Sequence, residues 1–153
     1  MDYFVLEQID YASLNAVKTG ETKNAVLYRS TSSEISKLLK FDYIYKGSLI
    51  SERVKQLFES YLPKNKWIMN GYVDIETGMQ EVFWQMDLFE CIPQNETAFR
   101  NDGIVKTIFL GNDPPPVIFK VKSPRGVISD IVHISVVESL LRRKYLGVRL
   151  TRV

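Results

Sequence analysis

At 153 residues, with 45% hydrophobic and 25% charged residues and a formal net charge of +2, the chain has the composition of an ordinary globule long enough to bury its own core in one domain. Disorder and fibre formation do not fit those values. The longest apolar runs fall well short of the roughly 18 residues a membrane helix needs, and the opening MDYFVLEQID carries acids where a signal peptide carries bases, so no membrane partner and a cytoplasmic location are expected.

The first apolar run, residues 3–9, alternates Tyr3, Val5 and Glu7 against Phe4, Leu6 and Gln8, which predicts a strand buried on at least one side. Residues 10–24 are small and polar with Gly20 and read as a connection with room for a turn of helix, followed by a short strand over 25–29. Ser and Thr precede Ile35, Leu38 and Leu39, the pattern of a capped amphipathic helix within 31–40, and residues 41–45 read as extended. The strongest helix signal comes next. Val54, Leu57, Phe58, Tyr61 and Leu62 recur at i, i+3, i+4, i+7 and i+8 and make one face apolar. Ser51 is placed to cap the helix, Glu52 suits its positive end, and Pro63, lacking an N–H, stops it.

Residues 67–75 and 79–92 are two β-rich runs facing each other across Glu76-Thr77-Gly78, where glycine supplies the positive φ of a tight turn. On the second arm Val82, Trp84, Met86 and Leu88 share one face by period two, and Glu81, Phe83, Gln85, Asp87, Phe89 and Cys91 share the other. The first face is expected to be core. The second is mixed, and two readings of it stand open: a solvated sheet face, or one covered by residues 10–24, against a contact surface. On the contact reading, Tyr72, Asp74 and Glu76 near the loop end of the first arm join Glu81, Phe83 and Gln85 as candidate partner-binding residues, an exposed aromatic pair flanked by acids.

Beyond the hairpin, residues 93–103 read as a polar loop, 104–110 as a strand, 111–116 as a stiff Pro-rich connection, and 117–122 and 127–134 as strands around Ser123-Pro124-Arg125-Gly126. Ile134-Ser135, Leu141 and Tyr145-Leu146 then repeat the spacing of Ile50-Ser51, Leu57 and Tyr61-Leu62. Ser135 and Glu138 form a capping-box pattern for a helix over 136–146, Gly147 is placed to close it, and 148–153 reads as a final strand. Residues 124–153 hold six Arg or Lys against two acids, which leaves the remainder at −2. Arg142-Arg143-Lys144 falls in the last turn of that helix, where cations complement the dipole, so no nucleic-acid partner is expected.

The inventory of reactive groups is thin. His133, the single histidine, alternates with Val132 and Ile134 and has no partner at ligand spacing, so it reads as structural, and Cys91 reads as a small buried thiol in mid-strand. Phosphate-loop, nucleophile-elbow, HExxH and paired CxxC patterns are missing. The acids Asp74, Glu76, Glu81, Asp87 and Glu90 around the hairpin read as solvated strand and turn residues. No catalytic residue, cofactor or metal ligand is assigned, and no enzymatic activity is expected.

The order of phrases Ile50-Ser51-Glu52 with its helix, residues 82–92 (VFWQMDLFECI), Ile118-Phe119-Lys120-Val121, Ile134-Ser135 with its helix and Gly147-Val148-Arg149-Leu150 resembles bacterial immunity proteins. More narrowly it is similar to the eleventh immunity family of polymorphic toxin systems, or to the closely similar forty-third. The resemblance spans about residues 48–153 and rests on hydrophobic phrases in fixed order. It implies a single α+β domain over 1–153 without catalysis of its own, whose partner is a cognate toxin effector encoded next door, neutralised through a protein–protein interface during interbacterial competition. The alternative is a non-catalytic binding module for a peptide or small ligand. The expected fold is a mostly antiparallel twisted sheet centred on the hairpin, with two main helices, 51–62 and 136–146, packed on its Val82-Trp84-Met86-Leu88 face.

Overall fold

The alternating run at the start of the chain forms strand β1 (Tyr3–Gln8), with Tyr3, Val5, Leu6 and Glu7 buried. The computed structural model describes residues 2–9 and 15–153, so residues 10–14 of the expected connection lie outside the described residues. The remainder of that connection is not all loop. It contains β2 (Val17–Glu21), an exposed strand of polar composition that is held by antiparallel pairing to β3 (Ala25–Arg29). Helix α1 (Ser32–Leu38) starts where expected, with the Thr31 hydroxyl accepting from the Glu34 N–H at 3.2 Å. Two short strands, β4 (Tyr43–Ile44) and β5 (Leu49–Ile50), precede α2 (Glu52–Tyr61), which Ser51 caps and which buries Val54, Leu57 and Phe58.

The hairpin forms from β6 (Lys66–Val73) and β7 (Gln80–Asp87), and Gly78 takes a φ of 74° in its turn. Short strands β8 (Ala98–Phe99) and β9 (Val105–Thr107) pair with each other. β10 (Ile118–Lys122) and β11 (Ile128–His133) follow, then α3 (Ile134–Arg142) and β12 (Val148–Arg152). The fold is α+β, with mostly antiparallel sheets and three helices among the described residues. No helix among those residues is long and apolar enough to cross a membrane.

The chain divides into two compact units. The first comprises residues 1–7, 88–144 and 149–153. Its four-stranded sheet has the order β10-β11-β1-β12, with β11 antiparallel to both β1 and β10. α3 packs on β11, and Val5, Ile118, Phe119, Val121, Ile131, Val132 and Val136 are sealed from solvent. Glu7 is buried in this unit, yet Arg100 meets it at 2.7 Å, Arg149 at 3.5 Å and the Thr151 hydroxyl at 2.5 Å. Burial alone raises a carboxyl's pKa, but these donors outweigh it and hold Glu7 below the usual range.

The second unit comprises residues 8–87 and 145–148. Its six-stranded sheet has the order β2-β3-β6-β7-β5-β4, antiparallel except where β3 and β6 run parallel. α1 and α2 cover opposite faces of this sheet. Ile35 and Leu38 of α1 cluster with Ile44, Leu49, Tyr72 and Phe83. On α2, Glu52 accepts from the Trp84 indole N–H at 2.5 Å and the Lys55 ammonium sits 4.2 Å from the Trp84 ring centroid. Phe83 and Trp84 are consecutive in β7, so their side chains leave opposite faces.

Four expectations are corrected here. The helices do not share one face: α1 and α2 sandwich the six-stranded sheet, while α3 packs on β11 in the first unit. The face expected to be core is only partly so, because Met86 and Leu88 are buried while Val82 and Trp84 are half-buried, and Phe83 on the opposite face is 2% exposed. The Ser135 capping box is replaced by His133, whose Nδ1 accepts from the Ser135 N–H at 3.2 Å, so Ser51 caps its helix and Ser135 lies inside one. Lys144 rather than Gly147 takes the left-handed position after α3, with φ 49°. Gly147, at φ +65°, instead leaves room for Phe41, whose Cδ1 would lie 2.5 Å from an added Cβ.

Candidate functional site

The parallel pair β3 and β6 ends in register, with Arg29 beside Val73 and the Ser30 N–H donating to the Val73 carbonyl at 2.9 Å. From that line the chain leaves in two directions. β3 runs through Ser30 and Thr31 into α1, and β6 runs into the turn that leads to β7. The turn is closed by Asp74 N–H to Met79 carbonyl at 2.9 Å and Gly78 N–H to Asp74 carbonyl at 2.8 Å. Between these two loops and residues 15–17 lies a cleft of about 880 Å³. The carboxyl ends of parallel strands are a recurrent place for ligand clefts, because neighbouring strands feed diverging loops there.

Asp74 fixes the floor of the cleft. Its Oδ2 accepts from the Ser32 N–H at 2.8 Å and the Ser32 hydroxyl at 2.7 Å, and its Oδ1 accepts from the Glu76 N–H at 3.0 Å. The Ser32 hydroxyl is the largest of the interactions that pull its pKa down to about 2, with Thr77 and the two backbone donors adding to it. The carboxylate thus satisfies an orphan N–H of α1 and ties the hairpin turn to that helix. Such a group is ionised and occupied, which suits it to hold the cleft's shape and not to exchange protons.

The walls differ from the floor. Arg29 and Glu76 are exposed and carry no ion pair among the described residues. Ile75 is 71% exposed and Val17 59% exposed, and both line the same cleft. A β-branched apolar residue is foreign to a tight turn, where small polar residues are favoured, and nothing in the second unit's core uses Ile75. The arrangement suits binding: two opposite charges and two apolar side chains presented around a rigid polar floor.

Of the residues named from the sequence, the structure brings only Asp74 and Glu76 to this cleft. Tyr72 and Phe83 are buried at 4% and 2%, and Tyr72 stacks on Tyr28 with centroids 5.0 Å apart, so the expected exposed aromatic pair is instead core. The physical reason is α1, whose Ile35 and Leu38 cover that face. Asp74 is 7% exposed, against the expected solvated acid. Glu81 and Gln85 are half-buried within β7, opposite Tyr72 and Ile68. Arg29, Ile75 and Val17 were not singled out from the sequence, although the hydroxyl run at residues 30–33 after a strand and the isoleucine inside a turn were legible signals.

Other groups with chemistry are spent on the fold. Asp42, 4% exposed, accepts from Ser51 Oγ at 2.6 Å, Arg53 Nε at 2.8 Å and the Leu146 N–H at 2.6 Å. Burial pushes its pKa up, and the hydrogen bonds from Arg53, Ser51 and Leu146 more than reverse this. Cys91 is half-buried beyond the end of β7, not in mid-strand, and burial raises its thiol pKa. The described residues contain no group of three or more His, Cys, Asp or Glu placed to hold a metal ion. Two smaller clefts, of about 450 and 280 Å³, lie in the first unit. No protein-family model, curated protein or solved structure matches the chain.

Proposed function

We propose that the chain is an immunity protein: it binds a cognate toxin effector and neutralises it through a protein–protein interface, with no reaction of its own. One observation carries this reading. Around the 880 Å³ cleft, Ile75 and Val17 are presented to solvent beside Arg29 and Glu76, whose charges carry no ion pair among the described residues. Apolar anchors among charged rim groups are the composition of a protein contact, where anchors supply affinity and charges supply register and association rate. The complete interface buries about 1,200–2,000 Å², so the cleft is one part of it.

The test is co-expression of the chain with the toxin encoded by the neighbouring reading frame. Restored growth and co-purification of the two proteins are expected. Co-purification without rescue favours the alternative, a binding module that is not an inhibitor, and the absence of both outcomes refutes the proposal.

A further inference from the structure

The chemistry of the cleft narrows what docks there. An anion is disfavoured, because the start of α1, where an anion would gain most, already holds the Asp74 carboxylate on the Ser32 N–H and hydroxyl. Glu76 adds a second negative charge on the turn, and Arg29 stands at the end of β3 as the cleft's cation. A lone cation leaves Arg29 unpaired, and a lone anion leaves Glu76 unpaired. A ligand carrying both signs satisfies each wall. Ile75 and Val17 require an apolar group in the same ligand, since exposed β-branched side chains gain only by removal from water. Ser33 adds an exposed hydroxyl with no hydrogen bond among the described residues, free to meet a peptide main chain.

We infer that this cleft takes an extended segment of a protein partner in which an apolar side chain is flanked by one acidic and one basic residue. The acid pairs with Arg29, the base with Glu76, and the apolar side chain covers Ile75 and Val17. This deepens the immunity reading by assigning the chemistry of the toxin segment that docks, yet the site can be tested without the toxin. The volume agrees with a short segment, being at the upper end of clefts that hold compact ligands.

The probe is the capped peptide Ac-Gly-Glu-Leu-Lys-Gly-NH2, titrated into the isotope-labelled full chain and followed by amide chemical shifts. Saturable shifts confined to residues 15–17, 29–33 and 74–77, the segments that line the cleft, are expected. Replacing the peptide's leucine by serine, or substituting Ile75→Asp or the pair Arg29→Ala and Glu76→Ala in the protein, should weaken binding about ten-fold, as loss of one buried aliphatic group or of paired charges does. These positions are exposed, so unchanged shifts elsewhere report an intact fold. Absence of saturable shifts in those segments overturns the inference, as does equal affinity for the serine peptide.

The same variants are then scored against the toxin. Peptide binding at the cleft with no toxin binding refutes the immunity reading and leaves the site standing. Toxin binding that is indifferent to Ile75→Asp and to the double variant, with no peptide binding, refutes the site and leaves the immunity reading standing.

Discussion

The assignment of faces on β7 has a quantitative consequence for two adjacent residues. Phe83 is 2% exposed and packs among Ile35, Leu38, Ile44, Leu49 and Tyr72. Phe83→Ala removes a ring from a site closed by one helix and three neighbouring strands, so little relaxation is available. The transfer loss and the cavity together amount to about 3–5 kcal/mol. Trp84 is larger but half-buried, and its specific contacts are the indole hydrogen bond to Glu52 and the Lys55 ammonium 4.2 Å from its ring centroid. Those contribute about 0.5–1.5 and 0.5–1 kcal/mol respectively, and the partial burial of the ring adds a similar amount, so Trp84→Ala should cost about 1–3 kcal/mol. The residue with less surface is therefore the costlier loss. Urea unfolding followed by tryptophan fluorescence measures this locally, because both tryptophans, Trp67 and Trp84, belong to the second unit. Trp67 remains as the reporter in Trp84→Ala, and constancy of the m-value checks that midpoints are comparable. A larger midpoint shift for Trp84→Ala than for Phe83→Ala would falsify the placement of α1 over the Phe83 face.

Asp74, with a folded pKa of about 2 against an ordinary value of 3.8, stabilises the fold fully above pH 4, and that contribution is lost as the pH falls from about 4 toward 2. Asp74→Asn should remove this part of the acid dependence and lower stability at neutral pH, so a pH series of melting temperatures that parallels the wild type between pH 4 and 2 refutes it. His133 caps α3 through Nδ1, so His133→Ala should cost about 0.5–2 kcal/mol and His133→Asn, itself a good cap, should recover most of it in thermal unfolding. Equal losses for the two variants contradict the capping role. Gly78→Ala and Gly147→Ala share a positive φ, but an added Cβ at Gly78 meets nothing within 4 Å whereas at Gly147 it meets Phe41 at 2.5 Å and the Lys40 carbonyl at 3.1 Å. Gly147→Ala should therefore lower the melting temperature more, and the reverse order contradicts the close approach of residues 40–41.

Elements with a short-range chemical signal were legible in the sequence. Ser51 and Thr31 cap helices where a serine or threonine precedes an apolar stripe, and Gly78 turns the hairpin because the alternative residues pay for its φ of 74°. The strand of residues 25–29 was equally plain, being apolar and flanked by turn residues. For the two caps and the turn, the deciding interaction lies within a few residues of the signal.

What only the tertiary structure decided depended on distant partners. Period two divides β7 into two sets, but α1 and α2 cover both faces of the six-stranded sheet. Apolar residues then occur on both faces, and the alternation no longer tells core from surface. Ile35 and Leu38 settle it by burying Phe83 and Tyr72, and the aromatic pair read as a contact surface becomes core. β2 was hidden for the opposite reason: its residues face water, and backbone pairing to β3 alone makes it a strand. Asp74 shows the same limit at the cleft, because a turn aspartate reads as solvated until Ser32, 42 positions earlier, is folded against it. Local rules assign conformation where neighbours compete. Which side chain is covered, and which carboxylate is spent on the fold, is set by contacts between residues far apart in the chain.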